Sequence, residues 1–410
     1  MSFRGVNINK LNGGLGRSNP NEDNIFILAA SMPLTGTTLA VNKAHKLLQI
    51  EDAEALGVNA AFDANESVLV HNEIKDFFTY CPGGVLHLIP VAETLSPSGV
   101  VAVADFITAV RSVPEAKVIG IMNTTTTVPD IADEVAAVQL FVENFRAEFR
   151  YIDNVLLEGR GEAAAITPIA NYPDLRGENA PNVSVSIAQD PAIATIDPAY
   201  TKYAAIGAVL GMLAVRQVNE NLGSVDILNK PIGFRGREDY PLTIDGTNRW
   251  EASNLSDGNT FETLTYNDQS ALTNSGYIYA GSFNGYGGVF FNNAPTCVEK
   301  SDDYAYIENN RVWNKAVRII RKTLIPRVRG IVKKDATTGY ILSTTISDWN
   351  SRLNKALEVM ITNNEISGFE FYINPKQVLS EDTPLKVTGH IVVDAIVFEF
   401  EVDLGLTDKL

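Results

Sequence analysis

The run that most constrains this chain lies close to its C-terminus. In Val397 to Leu404 (VFEFEVDL), Phe398, Phe400, Val402 and Leu404 alternate with Glu399, Glu401 and Asp403. Successive side chains of a strand point to opposite faces, so such a strand has one apolar and one acidic face. Its backbone N–H and C=O groups need a neighbouring strand, and little chain follows to supply one. The run either folds back onto its own domain or completes a sheet in another molecule.

A weaker signal of the same kind sits at the other end. Val6 and Ile8 alternate with Asn7 and Asn9, just ahead of the Asn-, Gly-, Ser- and Pro-rich stretch from Asn12 to Asn21. That reads as a short strand before a flexible linker, and residues 1–22 are expected to form an arm. Two donated strands per copy would join copies head to tail. Contacts of that type need not close into a ring and can build a helical filament.

Between the arms the chain alternates β and α patterns. Buried strands are expected at Asn24 to Ser31, Val85 to Val91, Lys117 to Met122, Arg150 to Leu157 and Val183 to Ile187. Helices are expected at Glu51 to Gly57, Val100 to Val110, from Pro129 towards Phe149, and Pro198 to Glu220. The fold class that follows is mixed α/β with several subdomains and a largely buried sheet. Residues 221–300 are rich in Gly, Asn and aromatics and read as short strands and loops. Residues 23–300 are expected to form an α/β region, 301–384 a C-terminal domain, and 385–410 the closing strands and arm.

From Ser301 the periodicity becomes helical. Trp313, Val317, Ile320 and Leu324 share one face of a helix from about Asp303 to Leu324, which Pro326 stops. Arg311, Lys315, Arg318 and Lys322 follow the same spacing as a basic stripe. A second amphipathic helix, Ser347 to Ile361, carries Arg352 and Lys355 on its polar side, and Lys386 to Val393 reads as a strand.

Charge sharpens this reading. Net charge is −16, yet residues 311–334 hold nine Lys or Arg and no acid, leaving 24 basic and 49 acidic residues elsewhere. A basic block on an acidic body suits docking to an acidic protein surface, a second copy included; a solvated helix face is the plainer reading. Nucleic acid is not an expected partner, because its binders are usually basic throughout. The longest apolar run, Ala204 to Val215, is shorter than the roughly 20 residues needed to span a bilayer, so no membrane insertion is expected. The opening residues lack a secretory-type apolar stretch, and a reducing cytosol is the expected site of synthesis.

Chemistry is thinly represented. Cys81 and Cys297 form neither a disulfide framework nor a metal pattern, and His45, His71, His87 and His390 are too scattered for a ligand pair. No cofactor is expected. Leu11 to Gly16 (LNGGLG) resembles the glycine loop of sugar-nucleotide pyrophosphorylases, and a nucleotidyltransferase using Gly13 to Gly16 is the enzyme alternative. Arg17-Ser18-Asn19-Pro20 is a poor helix start, which favours a linker. Gly207 and Gly211 suggest close packing of a helix on a sheet.

An order of features in the last quarter resembles the C-terminal domain of contractile phage tail sheath proteins. Asp303-Tyr304-Ala305-Tyr306-Ile307 leads into Asn310-Arg311-Val312 and the basic helix. The second helix, Gly368-Phe369-Glu370-Phe371-Tyr372 and the terminal strands follow. Upstream, Gly207 to Arg216 followed by Asn221-Leu222-Gly223-Ser224-Val225 is similar to a sheath segment, while Asn229-Lys230-Pro231-Ile232 stands where the common pattern is longer and rich in Ala and Pro. A divergent branch fits that departure. The resemblance implies a subunit that stacks in six-fold rings around an inner tube, in a virion tail or a related injection particle. It implies arms laced into neighbours, with Val6, Ile8, Phe398, Phe400, Val402 and Leu404 as contacts. It implies baseplate and tail terminator partners, and tube or intersubunit contacts by Arg311, Lys315, Arg318, Lys322, Arg352 and Lys355. A baseplate or capsid subunit is the remaining structural alternative.

Overall fold

The computed structural model describes residues 22–162, 166–194, 198–377, 380 and 383–407. The chain divides into two units. Unit 1 runs to Gln217 and resumes over Leu222–Ala305; unit 2 comprises Val218–Asn221 and the chain from Tyr306 onward.

Unit 1 is built on a seven-stranded sheet. Its strands are β1 (Ile25–Ser31), β2 (His45–Leu47), β3 (Val85–Val91), β4 (Val118–Met122), β5 (Asn154–Glu158), β6 (Val183–Ser186) and, after the two-residue pair β7 (Ala188–Gln189) and β8 (Asn254–Leu255), β9 (Tyr277–Ile278). The spatial order is β2-β3-β1-β4-β5-β6-β9, parallel throughout except for antiparallel β2 at one edge. A parallel sheet is covered on both faces, so its strands read as unbroken apolar runs. IFILAAS and VIGIM are such runs, and every residue of β4 and β5 is buried. A last small pair, β10 (Ala280–Gly281) with β11 (Phe290–Phe291), lies in the region expected to be short strands and loops.

Helices complete the two layers. In chain order they are α1 (Ile50–Ala55), α2 (Ala60–Glu66), α3 (Val70–Tyr80), α4 (Pro97–Ala102), α5 (Ala104–Arg111), α6 (Ala132–Ala147), α7 (Pro191–Ala194), α8 (Gly207–Val215) and α9 (Tyr266–Asn274). Ile27 and Ala29 of β1 join a core with Phe106 of α5 and Phe141 and Phe145 of α6. Phe26, pointing the other way, meets Phe77 of α3 with ring centroids 6.2 Å apart.

All nine residues of α8 are buried. A Cβ on Gly207 would sit 1.9 Å from the Glu73 carbonyl oxygen, and one on Gly211 would sit 2.8 Å from that of Phe77. The two glycines therefore let α8 lie against α3, which corrects the expectation of helix-on-sheet packing. The sheet side uses a different glycine: a Cβ on Gly120 of β4 would meet Ile206 and Leu210 at 2.7 Å. The helix expected over Pro198 to Glu220 is also shorter, because the backbone turns extended at Arg216. There the guanidinium donates to the carbonyls of Met212 and Ser224, both at 2.9 Å.

Unit 2 contains α10 (Ile307–Leu324), α11 (Ser343–Thr362) and an antiparallel hairpin of β12 (Gly368–Ile373) and β13 (Val387–Val392). Val312 and Ala316 of α10 pack with Leu357 and Met360 of α11, with Ile366 and with Val218. Leu353, Ile346, Ile341 and Ile373 form a second cluster. Phe371 crosses to Gly389, where a Cβ would lie 2.3 Å from its ring, so the pairing needs a glycine there.

Candidate functional site

Two places could carry function: the carboxyl ends of the parallel strands in unit 1, and the end of the chain in unit 2.

The first is where doubly wound folds bind ligands. Taking the parallel strands in chain order, the sheet reverses direction between β1 and β4, and the crevice outside that point is the usual site. Here the protein fills it. Glu73 of α3 accepts the N–H of Ile206 at 2.9 Å and that of Gly207, closing the start of α8. Glu158 accepts the N–H groups of Asn123 at 3.0 Å and Ala204 at 3.2 Å, and Arg160 lies 3.5 Å away. Tyr203 donates to the Asp190 carbonyl at 2.7 Å. Arg249 donates to Asp76 at 2.8 Å, to Asn72 at 3.0 Å and to Asp190. Burial pushes the Glu73 carboxyl well above its ordinary range, helped by the charge of Asp76 and opposed by the Gly207 N–H. Burial also raises Asp76 and Glu158, against the pull of Arg249 and Arg160 respectively. The cavity left among Ser31, Asn123, Glu73 and Glu158 is about 30 Å³. That is room for water and not for a nucleotide, whereas the neighbouring cavity lined by Asn72, Asp76 and Arg249 is about 400 Å³.

No sequence spacing announces this cluster. Glu73, Glu158, Asp190 and Arg249 are brought together by sheet order alone. Gly13 to Gly16, the loop of the enzyme alternative, lie outside the described residues. Among the described residues no group of three or more His, Cys, Asp or Glu is placed to hold a metal ion, and no helix is long and apolar enough to cross a membrane.

The second place is unit 2. Beyond β13 the chain is pinned and then let go. Ser367 donates its N–H to the Val392 carbonyl at 2.9 Å. Asp394 accepts from the Ser367 hydroxyl at 2.5 Å and from Asn219 Nδ2 at 2.7 Å. Phe398 lies against Tyr306 with centroids 5.9 Å apart. After that, Phe400, Val402, Leu404 and Leu406 are 84%, 78%, 90% and 104% exposed. The run expected to be a strand thus joins no ladder among the described residues. The hairpin has only two strands, so β12 and β13 each keep one edge unpaired among the described residues. Val6 and Ile8, the other expected strand, lie outside the described residues.

The six basic candidates separate by environment. Arg311 is fully buried, which corrects its expected place on the surface. It sits one turn beyond Glu308, itself buried and bonded by Asn221 Nδ2 at 2.7 Å. Burial raises the Glu308 carboxyl to about 7, and the Asn221 bond and Arg311 hold it down. The helical spacing placed Arg311 on the stripe correctly, but the inserted Val218–Asn221 segment belongs to the same unit. Only the three-dimensional structure reveals that. Lys315 pairs with Glu365 at 2.5 Å. Arg318 is half-buried, and Lys322 and Lys355 are exposed. Arg352 is exposed and pairs with Asp348 one turn back at 2.8 Å. The exposed basic charge therefore lies towards the end of α10, in the loop after it and on α11.

The model of the DUF2586 N-terminal domain matches residues 3–295, and that of the DUF2586 C-terminal domain matches residues 303–410. No curated protein matches the chain in sequence. Among solved structures, a chain of the anti-feeding prophage (AFP) baseplate, 6-fold symmetrised, is similar at a TM-score of 0.58 and 13% identity, covering 99% of both chains. A chain of the same baseplate in its contracted state gives a TM-score of 0.53 at 13% identity, again over 99% of both. A looser likeness, with a TM-score of 0.48 and 11% identity, is to the sheath tail protein of Desulfitobacterium hafniense, over 95% of this chain and 100% of that one. At these identities the likeness is one of fold, along the full length of the chain.

Proposed function

The chain belongs to the DUF2586 family, and on that premise we propose that it is a structural subunit of a contractile, phage-tail-like particle. In this reading copies stack as six-fold rings around an inner tube, with baseplate and terminator proteins at the ends. Synthesis is in the bacterial cytoplasm, and the finished copies sit in the particle. No nucleotide or metal enters the mechanism.

The observation that carries the reading is the exposed alternating segment from Val397 to Leu404 beside an incomplete two-stranded sheet. Exposing four large apolar side chains in sequence costs a soluble monomer, at roughly 25 cal/mol per Å² of apolar area, and invites aggregation. The same residues become an asset when a neighbour's sheet takes the strand. Its backbone groups are then paired, and its apolar face is covered. Val6 and Ile8 are proposed to act the same way from the other end. Full-length likeness to chains of a six-fold baseplate supports a ring-forming role. Contraction then follows if the contracted lattice buries more surface per copy, since a small gain per subunit sums over many. Arg318, Lys322, Arg352 and Lys355 are proposed as tube or intersubunit contacts, with Lys315 held by Glu365 beside them.

That likeness also favours a second structural reading, a ring component of the baseplate itself. Electron microscopy of the purified chain separates the two. Striated hollow tubes are expected of a sheath subunit, and single rings or discs of a baseplate component. Deleting residues 397–410 is expected to abolish either assembly while leaving a folded, soluble chain. Normal assembly by the deletion variant would rule the tether out.

A further inference from the structure

The loop after α10 carries a run of exposed positive charge. Arg329, Lys333 and Lys334 are exposed, as is Arg327, which adds to the stronger effect of the Arg352 hydrogen bond in lowering the Asp348 carboxylate. Between them Val328 and Ile331 are 67% and 103% exposed. The loop is shaped, not slack. A turn places Arg329 at φ +61, Lys334 bridges to Ile341, and Asp335 accepts the N–H groups of Thr337 at 3.0 Å and Thr338 at 2.7 Å. The surface alternates basic and apolar side chains.

The C-terminal segment has the opposite composition. From Val393 to Thr407 it holds Asp394, Glu399, Glu401 and Asp403 and no Lys or Arg, with apolar residues between. It does not lie on its own chain's loop, for the apolar residues of both stay exposed. We infer that the basic loop around Arg327–Lys334 is a docking surface for the acidic face, Glu399, Glu401 and Asp403, of the C-terminal segment of a second copy. This rests on the proposed exchange of arms and adds to it a place and a polarity. Two like loops repel and two like arms repel, so only the arm-to-loop pairing is favoured, which gives the contact its direction.

The test uses the full-length chain and a labelled peptide of residues 393–410, read by fluorescence anisotropy. Binding is expected at low salt, weakening about tenfold or more as salt rises from about 50 to about 500 mM. The Arg327→Glu/Lys333→Glu/Lys334→Glu variant should bind the peptide at least about tenfold more weakly. A peptide carrying Glu399→Lys, Glu401→Lys and Asp403→Lys should regain binding to that variant and lose it to the wild type. Circular dichroism confirms that the triple variant is folded; should it not be, Lys333→Gln/Lys334→Gln replaces it, with a smaller loss expected. Equal binding to wild type and variant, no binding at all, or no recovery by the reversed peptide would each overturn the inference. Assembly by microscopy is scored separately. Tubes that form although the peptide ignores the loop would sink this contact and leave the structural role standing.

Discussion

The sheet of unit 1 and the hairpin of unit 2 meet the same demand, that backbone polar groups be paired, in opposite ways. In unit 1 the interior strands are covered on both faces, and the sheet stops at very short edges, β2 with three residues and β9 with two. Short edges offer little to a stray strand. In unit 2 two six-residue strands stand with open edges, and an alternating segment beyond them has no place among the described residues. One unit is finished within the chain; under the proposed function the other is finished by a neighbour. If the chain polymerises as proposed, stability alone and assembly are tasks it gains by separating.

The largest steric effect on the finished side is expected at Gly207. Its Cα passes so close to the Glu73 backbone that Gly207→Ala forces α8 off α3, at a cost of about 3 kcal/mol. Chemical denaturation should register that loss; an unchanged midpoint would mean the helices are free to separate, and the contrast with unit 2 would weaken.

An effect confined to one pH window is expected at Asp63. Asp63 caps the start of α3, accepting the N–H groups of His71 and Asn72, each at 3.0 Å. Burial nonetheless raises its carboxyl from 3.8 to about 7, with those bonds opposing. Between these values the folded chain holds a proton that the unfolded chain has released, so stability falls as pH rises through that window and levels off above it. Asp63→Asn keeps an acceptor for the cap and should flatten that part of the profile. An identical slope in the variant would assign the dependence to the other buried carboxyls.

The smallest effect concerns the root of the arm. Removing the Asp394 carboxylate by Asp394→Ala loses the bonds from Ser367 and Asn219, about 1 kcal/mol of local restraint. Amide exchange at Ser367 should quicken while β1 and β4 stay protected. Unaltered exchange at Ser367 would place the hinge elsewhere.

Much of this contrast was legible in the sequence. Buried parallel strands announce themselves as continuous apolar runs, so β1, β3 and β4 were expected within a residue of where they lie. The amphipathic faces of α10 and α11 were likewise visible as periodicity. What periodicity cannot convey is which polar residues sheet order gathers. Arg249 meets Asp76 and Asp190 across long stretches of chain, and Arg311 sits on a polar stripe yet is buried. The glycines of α8 are conspicuous in the sequence, but nothing local there distinguishes a helix neighbour from a strand.

Reconstruction of the assembled particle by cryo-electron microscopy tests the central claim most directly. Residues 397–404 are expected to run as a strand hydrogen-bonded to an open edge of the β12–β13 hairpin of a different copy. Density tracing the same residues back onto their own hairpin in every copy would contradict it.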